Sequence, residues 1–313
     1  MAKQIRIFFV TDIHGSNTCY RKFLNALKIY DVDVGILLGD LTGKVLVPLV
    51  DRVGGGWETT LMRQYTEVNT QDELDKLKKT IEMMGYYWVH QTPDEYKAYK
   101  DDPKKVDALF KKLMLQRVKE WIALADERLA NAGYKVYMSA GNDDHLEVDQ
   151  VIEDSVAIVN CNNKNVMVGE HEMITFSWAN PTPWNTPREK PDEELEPMLE
   201  ELIALVKDKA NAIFNFHAPP FGYALDLAPK LDENLIQAAD SKIHVGSHAV
   251  AKMIEKYQPL LGLHGHIHES RGAQKAKRTL LINPGSEYSE GILKGAVIVL
   301  EKGKVKDYVF TSG

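Results

Sequence analysis

The chain has 313 residues, 44% of them hydrophobic and 27% charged, enough for one large domain or two small ones and a balance that excludes wholesale disorder and fibrous repeats. Its 38 lysines and arginines against 45 aspartates and glutamates give a net charge of −7, which disfavours a general nucleic-acid coat, since such coats need positive charge to displace counterions. No apolar run reaches the roughly 18 residues of a membrane span, and Cys19 and Cys161 are too few for a disulfide framework or a thiolate metal site, so both are expected as buried filler in a cytoplasmic protein.

The first residues pass into an apolar run at 5–10 without a signal-peptide pattern, and that run reads as a strand buried on both faces. Ser16-Asn17 caps a helix to about residue 30, and 32–38 is a second buried strand. The strands end in Asp12 and Asp40, where open α/β sheets place their ligands. Residues 44–133 interrupt the rhythm with an expected hairpin near Gly54-Gly55-Gly56 and amphipathic helices at 72–84 and 106–132. Leaving directly after Asp40, this insertion is expected beside the site as a cap on a single domain of residues 1–313, with Tyr86, Tyr87 and Trp88 as cap core.

The sheet pattern resumes at 134–140, ending in Gly141-Asn142-Asp143-Asp144-His145, with shorter strands expected at 156–159 and 173–178. A proline-stiffened loop starting at 180 and a helix over 192–208 lead to a buried strand at 212–216 that ends at His217. After a helix capped by Ser247, the strand at 259–263 ends in His264-Gly265-His266-Ile267-His268, and the runs at 279–282, 296–300 and 304–310 read as antiparallel strands. His90, His171, His244 and His248 read as packing or surface histidines, and His264 as a strand-end residue beside the site.

Each short motif alone is an ordinary turn or strand end. Together, Asp12, His14, Asp40, Asn142, His217, His266 and His268 follow successive apolar runs, so one sheet edge collects seven nitrogen and oxygen ligands. Such a mixture suits manganese, iron, zinc, cobalt or nickel rather than calcium, and seven ligands fit two divalent transition-metal ions that share a carboxylate, manganese being favoured. No P-loop fits: Gly39 to Lys44 is one residue short and is followed by Val45. No zinc-protease helix or Gly-x-Ser-x-Gly elbow is present either, so metal rather than a serine is expected to activate water.

The series Asp12-x-His14, Gly39-Asp40, Gly141-Asn142, His217 and Gly265-His266-x-His268 resembles the calcineurin-like metallophosphoesterase superfamily, in family order from residue 12 to 268. The resemblance implies an α/β (α+β) four-layer sandwich of two mixed β-sheets flanked by helices. It implies a first metal held by Asp12, His14 and His268, a second held by Asn142, His217 and His266, and Asp40 bridging them. Asn283-Pro284-Gly285-Ser286 is similar to the family turn expected to pack behind the site. One position departs: where the family commonly has a proton-donating histidine after the asparagine, this chain has Asp143, so the proton donor is expected to be Asp143, held protonated, or His145.

The expected activity is attack of a metal-bridging hydroxide on the phosphorus of a phosphodiester, by analogy with compact family members. The alternatives are a phosphomonoesterase or nucleotidase, a repair-type nuclease, and a non-catalytic metal-holding module. The partner is expected to be a phosphate-ester small molecule or nucleotide, not nucleic acid or membrane. In the proline-stiffened loop, Trp184 is expected to stack on substrate and Arg188 to grip its phosphate.

Overall fold

A computed structural model describes residues 4–232 and 237–313. The chain begins β1 (Ile5–Thr11), α1 (Asn17–Ile29), β2 (Val34–Leu38), β3 (Leu46–Asp51), β4 (Trp57–Leu61), β5 (Gln64–Val68), α2 (Gln71–Met83), β6 (Tyr87–Gln91), α3 (Pro93–Lys100) and α4 (Pro103–Leu129). It continues β7 (Lys135–Ser139), α5 (Glu147–Glu153), β8 (Ile158–Asn160), β9 (Asn165–Val168), β10 (His171–Phe176), α6 (Asp192–Ala204), β11 (Ile213–Phe216), β12 (Leu227–Leu231) and β13 (Gln237–His244). The last elements are α7 (His248–Tyr257), β14 (Leu261–Leu263), β15 (Gly272–Ala276), β16 (Thr279–Asn283), β17 (Lys294–Glu301) and β18 (Lys304–Ser312).

Two six-stranded mixed sheets form the centre, in the orders β18-β17-β1-β2-β7-β8 and β15-β16-β14-β11-β10-β9. Their inner faces meet in one apolar layer, in which Ile7, Phe9 and Ile36 of the first sheet join Met173, Ile213 and Leu263 of the second. The outer face of the first sheet packs on α1, α4 and α5, through Tyr20, Phe23, Trp121 and Val148. The outer face of the second packs on α6 and α7, through Leu195, Leu199, Val250 and Met253. The result is a helix–sheet–sheet–helix sandwich, and it explains why β1 and β2 carry apolar residues at consecutive positions: both faces are covered.

Helix α1 starts where Ser16 accepts the Cys19 backbone N–H, and it buries Tyr20, Phe23, Leu24 and Leu27 at helical spacing. Its Tyr20 stacks flat on Trp121 of α4 with ring centroids 4.4 Å apart. Helix α4 opens with an Asp102 cap and Pro103 and lies between β2 and its parallel neighbour β7, as a crossover helix does.

The 44–133 segment therefore divides. Residues 46–91 build a four-stranded sheet, β5-β4-β3-β6, with its own small core of Val47, Leu49, Val68, Leu74 and Ile81. Helix α4 instead belongs to the main sandwich. The expected β3 hairpin is present, pairing Val50 with Glu58, but β5 and β6 were not expected. The tail strands pair antiparallel as expected, β17 with β18 and β16 with β15, and β16 in addition runs parallel to β14 inside the second sheet.

Candidate metal centre

Parallel strands deliver the site. β1, β2 and β7 lie side by side and in parallel, as do β11 and β14 in the other sheet, so the loops beyond their carboxyl ends converge. Those loops carry Asp12 and His14, Asp40, Asn142, His217, and His266 and His268. Of these seven, Asp12, His14, Asp40 and His266 have positive φ, a conformation that costs a non-glycine residue about 1 kcal/mol or more and collects at functional sites.

Two glycines let the loops close up. A Cβ on Gly39, itself at φ +58°, lies 2.1 Å from His217 Nδ1, and one on Gly265 lies 2.4 Å from Asp12 Oδ2. Any side chain there displaces a ligand.

Among the described residues, three groups of three have ligand atoms within 4.8 Å of one another: Asp12 with His14 and His268, Asp40 with His217 and His266, and His14 with Asp40 and Asp143. Asp40 joins them, its Oδ1 3.3 Å from His217 Nε2 and its Oδ2 3.6 Å from His14 Nε2. Asn142 Oδ1 lies 3.0 Å from His217 Nε2. His14 and His268 direct their Nε2 atoms at each other across 3.0 Å, a contact that two neutral acceptor lone pairs cannot sustain without a proton or cation between them.

Electrostatics agree with a cation site. Burial lowers the His14 pKa to about 3 and that of His266 to about 4, leaving neutral rings with free lone pairs. Burial acts to raise Asp12 and Asp40, but the neighbouring histidines outweigh it and hold both as carboxylates. His217 is raised to about 9 because Asp40 overcomes the effect of burial. Buried carboxylates that recruit protons onto neighbouring imidazoles mark a place where divalent ions replace those protons. The donor set, oxygen and imidazole without sulfur, fits divalent transition-metal ions.

Further side chains hold these ligands. Thr186 accepts the Asn142 Nδ2–H at 2.8 Å, which turns Oδ1 toward His217. Asp144, fully buried, accepts the Leu41, Thr42 and Gly141 N–H groups and the Thr42 hydroxyl, tying the β2 and β7 loops together. His264 Nδ1 bonds the carbonyls of Phe216 and Ala218, on either side of His217. The Tyr288 ring lies 4.6 Å from His14. Behind the site, Asn283 donates to the Gly265 and Ile267 carbonyls and Ser286 to that of Asp12, the packing role expected of their turn. Asp144 had a local signal, the acidic run after Gly141; Thr186 and Tyr288 had none.

The centre forms the floor of a cleft of about 520 Å³. Asp143 and Trp184 line it; His145, half-buried, is not among the lining residues. Burial, reinforced by the charge of Asp40, raises the Asp143 carboxyl to about 8, and its Oδ2 contacts Lys44 Nζ. Arg188 corrects the sequence reading. It is 1% exposed, and its guanidinium donates to the Asp144 and His145 carbonyls and to Asp149 Oδ2 at 2.7–2.9 Å, so it braces the Asp144 loop from inside instead of facing phosphate. Of the expected cap, Lys44 is the one residue among the described lining residues; the walls come from residues 181–186 and the β12–β13 hairpin.

Among known proteins, the family model described as calcineurin-like phosphoesterase matches residues 5–270. The uncharacterized protein MJ1162 of Methanocaldococcus jannaschii is 32% identical over 128 residues, 40% of this chain, and the chain spans about half, 53%, of that relative's length. A crystal structure covering 99% of both chains superposes with a TM-score of 0.60 at 14% identity, and TT1561 of Thermus thermophilus does so with a TM-score of 0.53 at 14% identity and the same coverage, a likeness of fold. With the metal-ligand pattern and the sandwich both in place, the chain belongs to the calcineurin-like phosphoesterase family.

Proposed function

We propose that this protein hydrolyses a phosphodiester with two divalent transition-metal ions, manganese preferred. The observation that carries the reading is Asp40 between two buried His/Asp clusters at the floor of an open cleft. When bound, the ions neutralise charge on phosphorus-linked oxygens and acidify a water.

The chain's own groups do the rest. Asp12, His14, Asp40, Asn142, His217, His266 and His268 orient the ligand shell, four of them from left-handed backbone positions. Water oxygen bonds to phosphorus, the ester P–O bond breaks, and the departing oxygen takes a proton from the Asp143–Lys44 pair, which lines the same cleft. His145, away from the lining, is left with a backbone role through its carbonyl bond to Arg188.

A diester is favoured over a monoester by charge. Among the described lining residues, Lys44 is the one ammonium or guanidinium, and Asp143 already partners it, so the cleft suits a single negative charge better than the two of a monoester. The two cysteines are free and buried, which accords with the reducing cytoplasm. The test is manganese-dependent turnover of bis-nitrophenyl against mono-nitrophenyl phosphate: faster diester hydrolysis supports the reading, and faster monoester hydrolysis replaces it with a phosphomonoesterase.

A further inference from the structure

The walls above the metal floor differ from it in character. One is built by Pro181, Pro183 and Trp184, the other by Leu231 and Ile243 of the β12–β13 hairpin and Val245 just after it. Trp184 is 60% exposed and Ile243 42%, so both hold apolar surface toward water beside a charged centre. Exposed apolar surface that is continuous with a polar catalytic floor is a binding feature, since an isolated surface has no reason to gather it there.

Each wall is held in place. Glu189 accepts hydrogen bonds from the Thr182 and Thr186 N–H groups and hydroxyls, fixing the 182–186 loop that presents Trp184. Asp226, fully buried, accepts from the Gly222 and Gly246 N–H groups and pairs with His244 at the base of the hairpin. Preformed walls of this kind bind a ligand with little ordering cost.

We infer that the cleft recognises an uncharged aromatic substituent of the phosphodiester, held between Trp184 and the β12–β13 hairpin. The inference rests on the phosphodiesterase reading and names its substrate class: a diester with one flat apolar group, rather than a polyphosphate or sugar phosphate. Charge supports it. The lining carries Glu269 as well as the Asp143–Lys44 pair, leaving the walls without a free cation for a second anionic group among the described residues. Proline rings and an indole offer flat faces suited to stacking.

The test is a series of 4-nitrophenyl phosphodiesters whose second substituent is methyl, phenyl or 1-naphthyl, so that the leaving group stays constant. At about 25 cal/mol per Å², removing about 100 Å² of ring surface from water gives a naphthyl-over-methyl ratio in kcat/KM on the order of 70-fold. Trp184→Ala and, on the opposite wall, Ile243→Ala each lower that ratio several-fold. Calorimetry of the manganese-loaded protein with 1-naphthyl phosphate and methyl phosphate reads the same preference without turnover. A ratio near one in the unmodified protein, or a ratio unmoved in both variants, overturns the inference. If no ester in the series is hydrolysed, the hydrolase reading fails, and the calorimetry alone judges the cleft: equal binding of the two phosphates then overturns the inference as well.

Discussion

The Nε2 atoms of His14 and His268 meet at 3.0 Å although 254 positions separate the two residues in the chain. The loops after β1 and β14 belong to different sheets, so this contact exists because the sandwich brings two carboxyl-terminal edges together. A cation bound here takes the place of the proton that the two rings share in the metal-free protein. Manganese added to chelated protein at 100 times its dissociation constant is therefore expected to stabilise the fold by about 2.7 kcal/mol, read as a rise in Tm. His268→Ala reduces bound metal from two per chain to one or fewer. A Tm indifferent to manganese contradicts this.

Metal uptake depends on pH with a definite sign. His217, at about 9 beside Asp40, carries a proton at neutral pH in the metal-free protein and must lose it to ligate. Apparent affinity then falls about tenfold for each unit the pH drops below about 9, per displaced proton. The raised value also means that the His217–Asp40 attraction stabilises the metal-free fold fully below the ordinary histidine value of 6.5 and is lost as pH rises through about 9. Titration calorimetry in buffers of different ionisation enthalpy measures the released protons; no release at pH 7 sinks the assignment.

Gly39→Ala and Gly265→Ala are expected to abolish metal binding, because the added methyl overlaps His217 and Asp12 respectively. Elemental analysis of the purified variants checks it. Metal content equal to the unmodified protein means that the loops relax more than their packing suggests.

Removing the Arg188 side chain takes the donors from the Asp144 and His145 carbonyls and leaves Asp149 with only its asparagine partners, so Arg188→Ala costs about 1–3 kcal/mol in urea unfolding. Unchanged stability with weakened phosphate affinity restores a direct role in substrate binding.

Asp143→Asn leaves size unchanged and removes the proton. Hydrolysis of esters with alkyl leaving groups is expected to fall about 10²–10⁴-fold, and that of nitrophenyl esters far less, since nitrophenolate departs without an acid. Equal losses on both assign Asp143 to positioning instead.

Local chemistry made the candidate metal cluster legible. Each ligand directly follows an apolar run, and strand ends need no knowledge of pairing partners to be recognised. The sandwich followed from the family resemblance and from consecutive apolar residues in β1 and β2. What was not legible depends on distance in space. β4 and β5 alternate polar residues on both faces, in WETTL and QYTEV, and give no strand signal of their own. β16 is apolar enough for either direction, and its parallel pairing with β14 is set by the chain's route. Arg188 was misread for the same reason: a cation in a proline-rich loop looks exposed until the Asp144–Asp149 segment is seen wrapped around it.

The central claim is that two divalent ions share Asp40 and drive phosphoester hydrolysis. Counting metals per chain in the unmodified protein and in Asp40→Asn, with manganese-supported turnover of bis-nitrophenyl phosphate measured on the same samples, tests it most directly. The account predicts two metals and turnover in the first, with loss of metal and of at least 10²-fold in rate in the second, on the order of one removed electrostatic contact in a catalytic site. Two metals without turnover, or turnover that survives Asp40→Asn, contradicts it.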